Sequence, residues 1–171
     1  SVMDNLISRE NLEHIICSSF HGTSYPGNEY IVDGPFPPKM YDSEEIYNLY
    51  HGRLWEELDD NFFFSHGALQ CSINFLAPEA FVYYLPSFMK HIISPDWNWT
   101  TGCLLEGMLY ELDKNNNSDK FSSAIKLSKD QSKAVALFLI YISSNHEEYG
   151  TEISAIAMNA FHSYWAVFSP S

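Results

Sequence analysis

Apolar residues recur every three or four positions along most of the 171-residue chain, which is the spacing that places side chains on one face of an α-helix. A nearly continuous apolar segment, 129–143, is typical of a central, buried helix. The clearest stripe lies near the C-terminus, where eight positions step alternately by three and one: Ile153, Ile156, Ala157, Ala160, Phe161, Tyr164, Trp165 and Phe168. The pattern predicts an all-α fold of about six helices in a single domain, 3–168.

Several polar residues mark where these helices begin. Ser8 is a candidate N-cap for a first helix over 8–20, and Ser128 with Gln131 forms a capping box for the apolar helix. Asp42 with Glu45 has the same spacing and predicts a helix over 43–58 that carries Ile46, Leu49, Leu54 and Leu58.

Two segments lack helical periodicity. The first, 21–41, holds three glycines and four prolines, and we expect a long irregular loop there that is a candidate functional segment. The second, 113–120, is a polar surface loop. The stretch 62–75 remains ambiguous, because a short helix with a connector and a strand near Gln70–Phe75 both fit it.

The stretch LAPEAFVYYLPSF, residues 76–88, contains two prolines eight residues apart. Pro78 suits the first turn of a helix, whereas Pro86 removes one backbone hydrogen bond from its interior. Phe81, Leu85, Phe88 and Ile92 stay in phase across Pro86, which favours one kinked helix over two separate helices. Tyr83 and Tyr84 point about 100° apart, so at most one is expected to face the core fully.

Net charge is −13 and is concentrated in residues 1–113, which hold 17 acidic and 4 basic side chains. Such a surface repels nucleic-acid phosphates and anionic lipid, and it attracts a basic protein. The longest apolar run, 134–142, has nine residues and is too short to span a bilayer. These features predict a basic protein partner, no nucleic acid and no membrane, while the three unpaired cysteines predict a reducing, cytoplasmic location.

Catalytic and metal motifs are not apparent in the sequence. Cys17, Cys71 and Cys103 form no CxxC pair, and we expect Cys17 and Cys103 to lie on apolar helix faces as reduced thiols. The stretch 146–150, HEEYG, lacks the second histidine of an HExxH zinc site. The sequence therefore predicts no catalytic residue, no metal site and no cofactor.

Acidic side chains on and beside the 43–58 helix are the strongest binding candidates. Glu45 and Glu56 are eleven residues apart, which is about three helical turns and places them on one side. Trp97 and Trp99 follow a proline and either anchor a partner or fold onto the core. The candidate partner-binding residues are Glu44, Glu45, Glu56, Glu57, Asp59, Asp60, Trp97 and Trp99. A merely solvated helix face remains the alternative for the acidic residues.

The segment FLAPEAFVYYLPSFM, residues 75–89, resembles the central motif of a bacterial family of unknown function. That motif runs Phe-Leu-Thr-Pro-Glu-Ala-Phe, then a tyrosine pair, leucine and proline. The segments LWEEL, LSKDQSKAVALFLIYI and AFHSYW occur in similar order, so the resemblance covers 43–168. Ala77 replaces the family's threonine and loses a helix cap. Some relatives resemble immunity proteins of bacterial toxins, which implies that function here.

The resulting prediction is an acidic immunity protein that neutralises a bacterial toxin by direct binding. The alternative is a small hydrolase or transferase with a site near the 21–41 loop, His51 or His66, and Tyr83 or Tyr84. A purely structural or oligomeric helical protein is a third hypothesis.

Overall fold

Eight α-helices and several 3₁₀ helices make up residues 6–169, the part of the chain that this computed structural model describes. The α-helices are α1 Arg9–Phe20, α2 Tyr41–Tyr50, α3 Asp60–Ser65, α4 Pro78–Ile93, α5 Gly102–Glu111, α6 Asp119–Ala124, α7 Lys129–Ser144 and α8 His146–Ser163. The 3₁₀ helices are Asn28–Tyr30, Trp55–Glu57, Gly67–Asn74, Trp99–Thr101, Lys114–Asn116 and Trp165–Phe168.

These residues contain no strand, and the all-α prediction is confirmed. Gly150, at a φ of 84°, interrupts α8, so the described part of the chain has nine helices rather than about six. The additional helices are short, and their few turns give too little periodicity for a sequence pattern to separate them.

Helix α4 lies at the centre of the molecule, where it contacts α1, α5 and α6, while α7 packs between α1 and α8. Phe81, Leu85, Phe88 and Ile92 are fully buried. Helix α4 runs through Pro86 as one helix, as the phase of these residues predicted. The free energy gained by burying these side chains outweighs the loss of the one backbone hydrogen bond that Pro86 removes, because each large apolar side chain stabilises the fold by about 1.5–3 kcal/mol.

The predicted starts of two helices are confirmed. The Ser8 hydroxyl accepts a hydrogen bond from the Asn11 backbone N–H at 3.1 Å and caps α1. Ser128 and Gln131 form the reciprocal capping box of α7. Helix α8 ends at Ser163 and the 3₁₀ helix Trp165–Phe168 follows, so the C-terminal stripe spans two elements.

The helix predicted over 43–58 is wrong at both ends. Helix α2 begins after Met40, so Asp42 lies in its first turn and is not its N-cap. It ends at Tyr50, because His51 has a non-helical ψ of 139°, and Gly52, with a φ of +74°, completes a turn in which the Arg53 N–H donates to the Tyr50 carbonyl. Glu56 and Glu57 lie on the 3₁₀ helix Trp55–Glu57, Asp59 is the N-cap of α3, and Asp60 is the first residue of α3.

The long irregular loop predicted over 21–41 is not supported as predicted. The 3₁₀ helix Asn28–Tyr30 interrupts it, and Val32 forms an antiparallel bridge with Leu76. Ile31 and Val32 are buried beside the start of α4, where the Ala77 backbone N–H donates to the Ile31 carbonyl. Two buried apolar side chains and the backbone pairing order this segment despite its glycines and prolines.

The ambiguous stretch 62–75 is helical and contains no strand. Helix α3 ends at Ser65, and the 3₁₀ helix Gly67–Asn74 follows it and packs against α5. A Cβ added at Gly107 on α5 would lie 3.8 Å from the Ile73 Cβ, an ordinary contact, so this approach does not require a glycine.

Candidate functional site

A line of polar side chains runs along one face of α4 at steps of three, four and three, and it ends at the C-cap of that helix. Its members are Tyr84, Ser87, His91 and Ser94. Each bonds to the segment 50–60, which runs beside α4 in the same direction. We call this set of contacts the α4 seam.

The upper part of the α4 seam fixes the backbone that follows α2. The buried Tyr84 hydroxyl lies 2.9 Å from the Tyr50 carbonyl and 2.7 Å from the Arg53 carbonyl. Ser87 donates to the Trp55 carbonyl at 2.7 Å. The Tyr83 hydroxyl accepts from the Trp55 backbone N–H at 3.2 Å. Both tyrosines are therefore buried, against the expectation that only one shares the core face.

The lower part of the α4 seam is centred on Asp60. One carboxylate oxygen lies 2.6 Å from Nδ1 of His91, and the other accepts from the Ser94 hydroxyl at 2.6 Å. The other ring nitrogen of His91, Nε2, lies 2.9 Å from Oγ1 of Thr101. The His91 ring also stacks on Phe63 with centroids 4.7 Å apart. Asp60 thus joins α3 to α4 and, through His91, to the start of α5.

Burial lowers the pKa of His91, and the nearby Asp60 carboxylate opposes that shift without reversing it. The neutral ring donates from Nδ1 to Asp60 and accepts at Nε2 from the Thr101 hydroxyl. This order of carboxylate, imidazole and hydroxyl resembles a nucleophile with its base. The Thr101 side chain is only 1% exposed, however, so its hydroxyl faces protein and not a substrate.

The Asp60 end of the α4 seam forms one wall of a surface cleft of about 250 Å³. Four acidic side chains line this cleft: Glu13, Asp59, Asp60 and Asp96. Two bases also line it, and each has a nearby partner. Arg9 bonds to Glu13 at 3.1 Å, and the Lys90 ammonium lies 5.8 Å from the centre of the Trp55 ring. We call this site the Asp60 cleft.

The turn after α4 carries Asp96 into the Asp60 cleft and places two tryptophans next to it in the chain. Trp97 is buried and packs against Tyr149, while Trp99 is 52% exposed. The two indole rings contact each other edge to face at 5.0 Å. Trp99 also lies over Gly102, where an added Cβ would come within 2.8 Å of its ring. Gly102 therefore lets the half-exposed Trp99 ring lie directly on α5.

The structure places two of the eight predicted binding residues in the lining of the Asp60 cleft. Asp59 and Asp60 line the cleft, and Trp97 and Trp99 follow Asp96 on the adjoining turn. Glu56 and Glu57 lie on the 3₁₀ helix just before Asp59. Glu44 and Glu45 lie apart from the cleft lining, on α2. The predicted ridge of Glu45, Glu56 and Asp60 on one helix is wrong, because these residues occupy three separate elements.

Several of these acidic residues also stabilise local structure. Glu57 accepts from the Leu54 backbone N–H at 2.8 Å, and Asp59 caps α3 by accepting from the Phe62 N–H at 3.0 Å. Glu44 and Glu56 are exposed, and no bond from either side chain is recorded among the described residues. Charge at these two positions therefore changes the surface without removing a cap.

Sequence reasoning missed His91, Ser94 and Asp96. His91 lies in the last turn of α4 and is buried. The spacing of the four polar residues on α4 carries a signal, because a polar line at helical period inside an apolar helix needs partners. The identity of those partners depends on the path of segment 50–60.

The residues proposed for an enzymatic site are partly brought together. Tyr25, from the 21–41 segment, packs edge to face on Tyr83 at 5.7 Å and accepts from the Gly52 N–H at 2.8 Å. The Tyr83 and Tyr84 hydroxyls are bonded to backbone groups. His51 is exposed and stacks on Tyr47, and His66 is exposed beside Ser65. Burial raises the pKa of Tyr84, which keeps that hydroxyl protonated as a donor.

Within residues 6–169, no group of three or more His, Cys, Asp or Glu side chains is arranged to hold a metal ion. Cys71 and Cys103 are exposed, so the prediction that Cys103 lies on an apolar face is wrong. Burial raises the pKa of the half-buried Cys17, which disfavours its reactive thiolate form. No helix in the described part of the chain is long and apolar enough to cross a membrane.

The fold and the site define an all-α, single-domain protein with an acidic surface cleft that a buried polar seam supports. The chain belongs to a family of unknown function, DUF6714, which matches residues 8–169. The predicted membership of such a family is thereby confirmed, and the match begins well before residue 43. Comparisons with curated proteins and with solved structures found no match.

Proposed function

We propose that this protein is a binding protein that docks a basic protein partner at the Asp60 cleft, with Trp99 as the apolar anchor. The observation that carries the proposal is the setting of Trp99. Its ring is half exposed, contacts Trp97 and lies over Gly102, and Trp99 follows the cleft-lining Asp96 by three residues in the chain. Tryptophan is enriched among residues that dominate binding energy, and a positioned ring loses little entropy on binding.

Electrostatics supports a basic partner. Of the side chains that line the cleft, Arg9 is paired with Glu13, and Asp59 and Asp96 remain exposed to solvent. Glu56 adds an exposed charge on the neighbouring 3₁₀ helix. This charge, within a total of −13, steers a cationic surface toward the cleft and repels phosphate-rich partners.

The more specific form of the proposal is that the partner is a bacterial toxin domain and that this cytoplasmic protein confers immunity to it. The support for this form is the sequence resemblance described above together with the acidic charge. The enzymatic alternative draws its support from the packing of Tyr25 on Tyr83 near Gly52.

In the experiment, the protein is first used to capture its partner from source-cell extract. The rates of association and dissociation with the identified partner are then measured for the wild type and for variants. Trp99→Ala is expected to weaken affinity at least about tenfold, the loss of roughly 1.4 kcal/mol or more that is typical of an anchor residue. Gly102→Ala keeps the indole but displaces it, so it is expected to weaken binding as well. Its helical backbone accepts alanine, and tryptophan fluorescence reports the displaced ring.

The charge component has its own pair of variants. Glu56→Lys with Asp96→Lys is expected to slow association and reduce its salt dependence, because neither side chain caps a helix. Glu29→Lys with Asp130→Lys makes the same charge change outside the cleft lining and serves as the control. Equal association rates for the two double variants would rule out the Asp60 cleft as the docking site.

A further inference from the structure

A second acidic and apolar surface is formed by residues of α2 and of the segment 68–75. Helix α2 and the 3₁₀ helix Gly67–Asn74 enclose a groove of about 570 Å³ between them. Its lining comprises apolar, acidic and neutral polar side chains: Asp42, Glu45, Ile46, Ala68, Cys71, Asn74 and Phe75. We call this site the α2 groove, and none of these residues lines the Asp60 cleft.

The residue that precedes the groove-lining Asp42 is the most exposed aromatic side chain on α2, although it is not part of the groove lining itself. Tyr41 is 78% exposed and lies one turn before Glu45, so the two share one face of α2. Met40, immediately before the helix, is 73% exposed. Large apolar side chains that remain in water next to an apolar-lined groove are typical of a docking surface.

The α2 groove continues across the 3₁₀ helix into a neighbouring cleft on α5. Cys71 and Asn74 line both cavities, and Glu106 on α5 adds a third acidic side chain. Neither lining includes a lysine or an arginine. Along the chain, the nearest base to α2 is Lys39, which precedes the helix and lies outside both linings. The groove is therefore apolar at its base and anionic along its sides.

Charge selects among the possible occupants. A second copy of this chain would bring another net charge of −13, and nucleic acid or anionic lipid would bring phosphates. All of these are repelled by Asp42, Glu45 and Glu106. A segment with apolar side chains on one face and lysine or arginine on the other matches both the base and the sides of the groove.

We propose that the α2 groove binds a basic amphipathic segment of a protein partner, with Tyr41 and Phe75 contacting its apolar face and Asp42, Glu45 and Glu106 its cationic side chains. This surface shares with the proposed function only the positive charge of the partner. The α2 groove involves different residues from the Asp60 cleft, so an experiment can refute the proposal for one surface without refuting the proposal for the other.

Cys71 provides a reporter inside the α2 groove. It is exposed, whereas Cys17 lies half-buried on α1 and outside both cavities. The probe is a helical peptide with leucines on one face and lysines on the other, and a matched peptide with glutamate in place of lysine is the control. The measurement is the rate of alkylation of each cysteine by N-ethylmaleimide, followed by mass spectrometry.

At saturating lysine peptide, alkylation of Cys71 is expected to slow about tenfold, as follows when roughly nine-tenths of the sites are occupied. The rate at Cys17 is expected to stay unchanged, and the glutamate peptide is expected to protect neither thiol. Tyr41→Ser with Glu45→Lys is expected to abolish the protection. Tyr30→Ser with Glu29→Lys changes an equivalent exposed pair on the 3₁₀ helix Asn28–Tyr30 and is expected to retain it.

Three results would overturn the proposal. The first is peptide binding that leaves Cys71 fully reactive, which places the peptide elsewhere. The second is protection of Cys71 by self-association or by phosphatidylserine vesicles in the absence of peptide. The third is no peptide binding at all. If the peptide no longer protects Cys71 in the double variant Glu56→Lys with Asp96→Lys, the two surfaces form one site. If the peptide still protects Cys71 in that variant, binding at the α2 groove is supported independently of the test of the Asp60 cleft.

Discussion

His91 shows how one side chain can connect three elements of a small helical protein. Its ring contacts Asp60 on α3 and Thr101 at the start of α5, and it belongs to α4. A buried imidazole with both nitrogens bonded is costly to remove, because its partners lose their hydrogen bonds. We therefore assign His91 a positioning role: it orients Asp60 at the wall of the cleft.

Stability is expected to fall as pH drops below about 6.5, the ordinary pKa of histidine. Since burial lowers the pKa of folded His91, the unfolded chain binds the proton first in this window. The contribution of neutral His91 to the free energy of unfolding is fully present above about pH 6.5, and it is lost progressively as the pH falls toward the lower pKa of His91 in the folded protein. Urea unfolding at a series of pH values from about 7.5 to about 5 measures the slope.

His91→Gln is the matched comparison for this slope. It is expected to lower the free energy of unfolding by about 1–3 kcal/mol at neutral pH, because buried hydrogen bonds are lost. It also removes the histidine proton, so its pH slope is expected to be flatter than that of the wild type. Burial raises the pKa of Asp33 and Glu148, and both remain in the variant. Parallel slopes for the two proteins would contradict the assignment.

At the level of elements, the α4 seam explains how an acidic segment without regular α-helix is held in place. Residues 51–59 include only the 3₁₀ helix Trp55–Glu57, yet their carbonyls and N–H groups bond to side chains of α4. Each bond contributes about 1 kcal/mol net, and the buried carbonyls would cost more if they were unpaired. The seam thus fixes the position of Glu56, Asp59 and Asp60.

Tyr84→Phe is expected to destabilise the protein by about 1–3 kcal/mol, since the carbonyls of Tyr50 and Arg53 lose their shared donor. Tyr83→Phe removes one longer bond to the Trp55 N–H and is expected to cost about 0.5–1.5 kcal/mol. Thermal and urea unfolding compare the two variants. A larger loss for Tyr83→Phe would show that the Tyr84 contacts do not hold the segment.

At the level of the whole molecule, charge works against folding while it favours association with a cationic partner. The chain has 22 acidic and 9 basic residues, and six of the acidic residues line the Asp60 cleft or the α2 groove. Self-repulsion within a compact state is screened by salt, with a Debye length of about 10 Å at 0.1 M ionic strength.

The free energy of unfolding is therefore expected to rise when sodium chloride increases from about 0.02 M to about 0.2 M, where screening shortens the reach of repulsion. Glu44→Gln with Glu56→Gln, at two exposed positions, is expected to be more stable than the wild type at low salt and to respond less to added salt. Urea unfolding at the two salt concentrations tests both points. A salt response that is unchanged in the double variant would assign the effect to something other than surface repulsion.

Local sequence patterns determined much of this fold. Two features depend only on near neighbours in the chain. The first is the helix caps at Ser8 and Ser128, and the second is the helical phase of the apolar residues on both sides of Pro86. The burial of Trp165 follows from the same periodicity. Helical spacing and capping are properties of a few consecutive residues, so the sequence alone is sufficient to predict them.

The tertiary structure decided where the acidic residues lie and what supports them. The path of the chain beyond the end of α2 depends on hydrogen bonds to Tyr84, Ser87 and His91, more than thirty positions away. The exposure of Trp99 and the burial of Trp97 likewise depend on α5 and α8. Such pairings are made between segments distant in sequence, and each is selected by the shape and polarity of a surface that forms only when the helices pack.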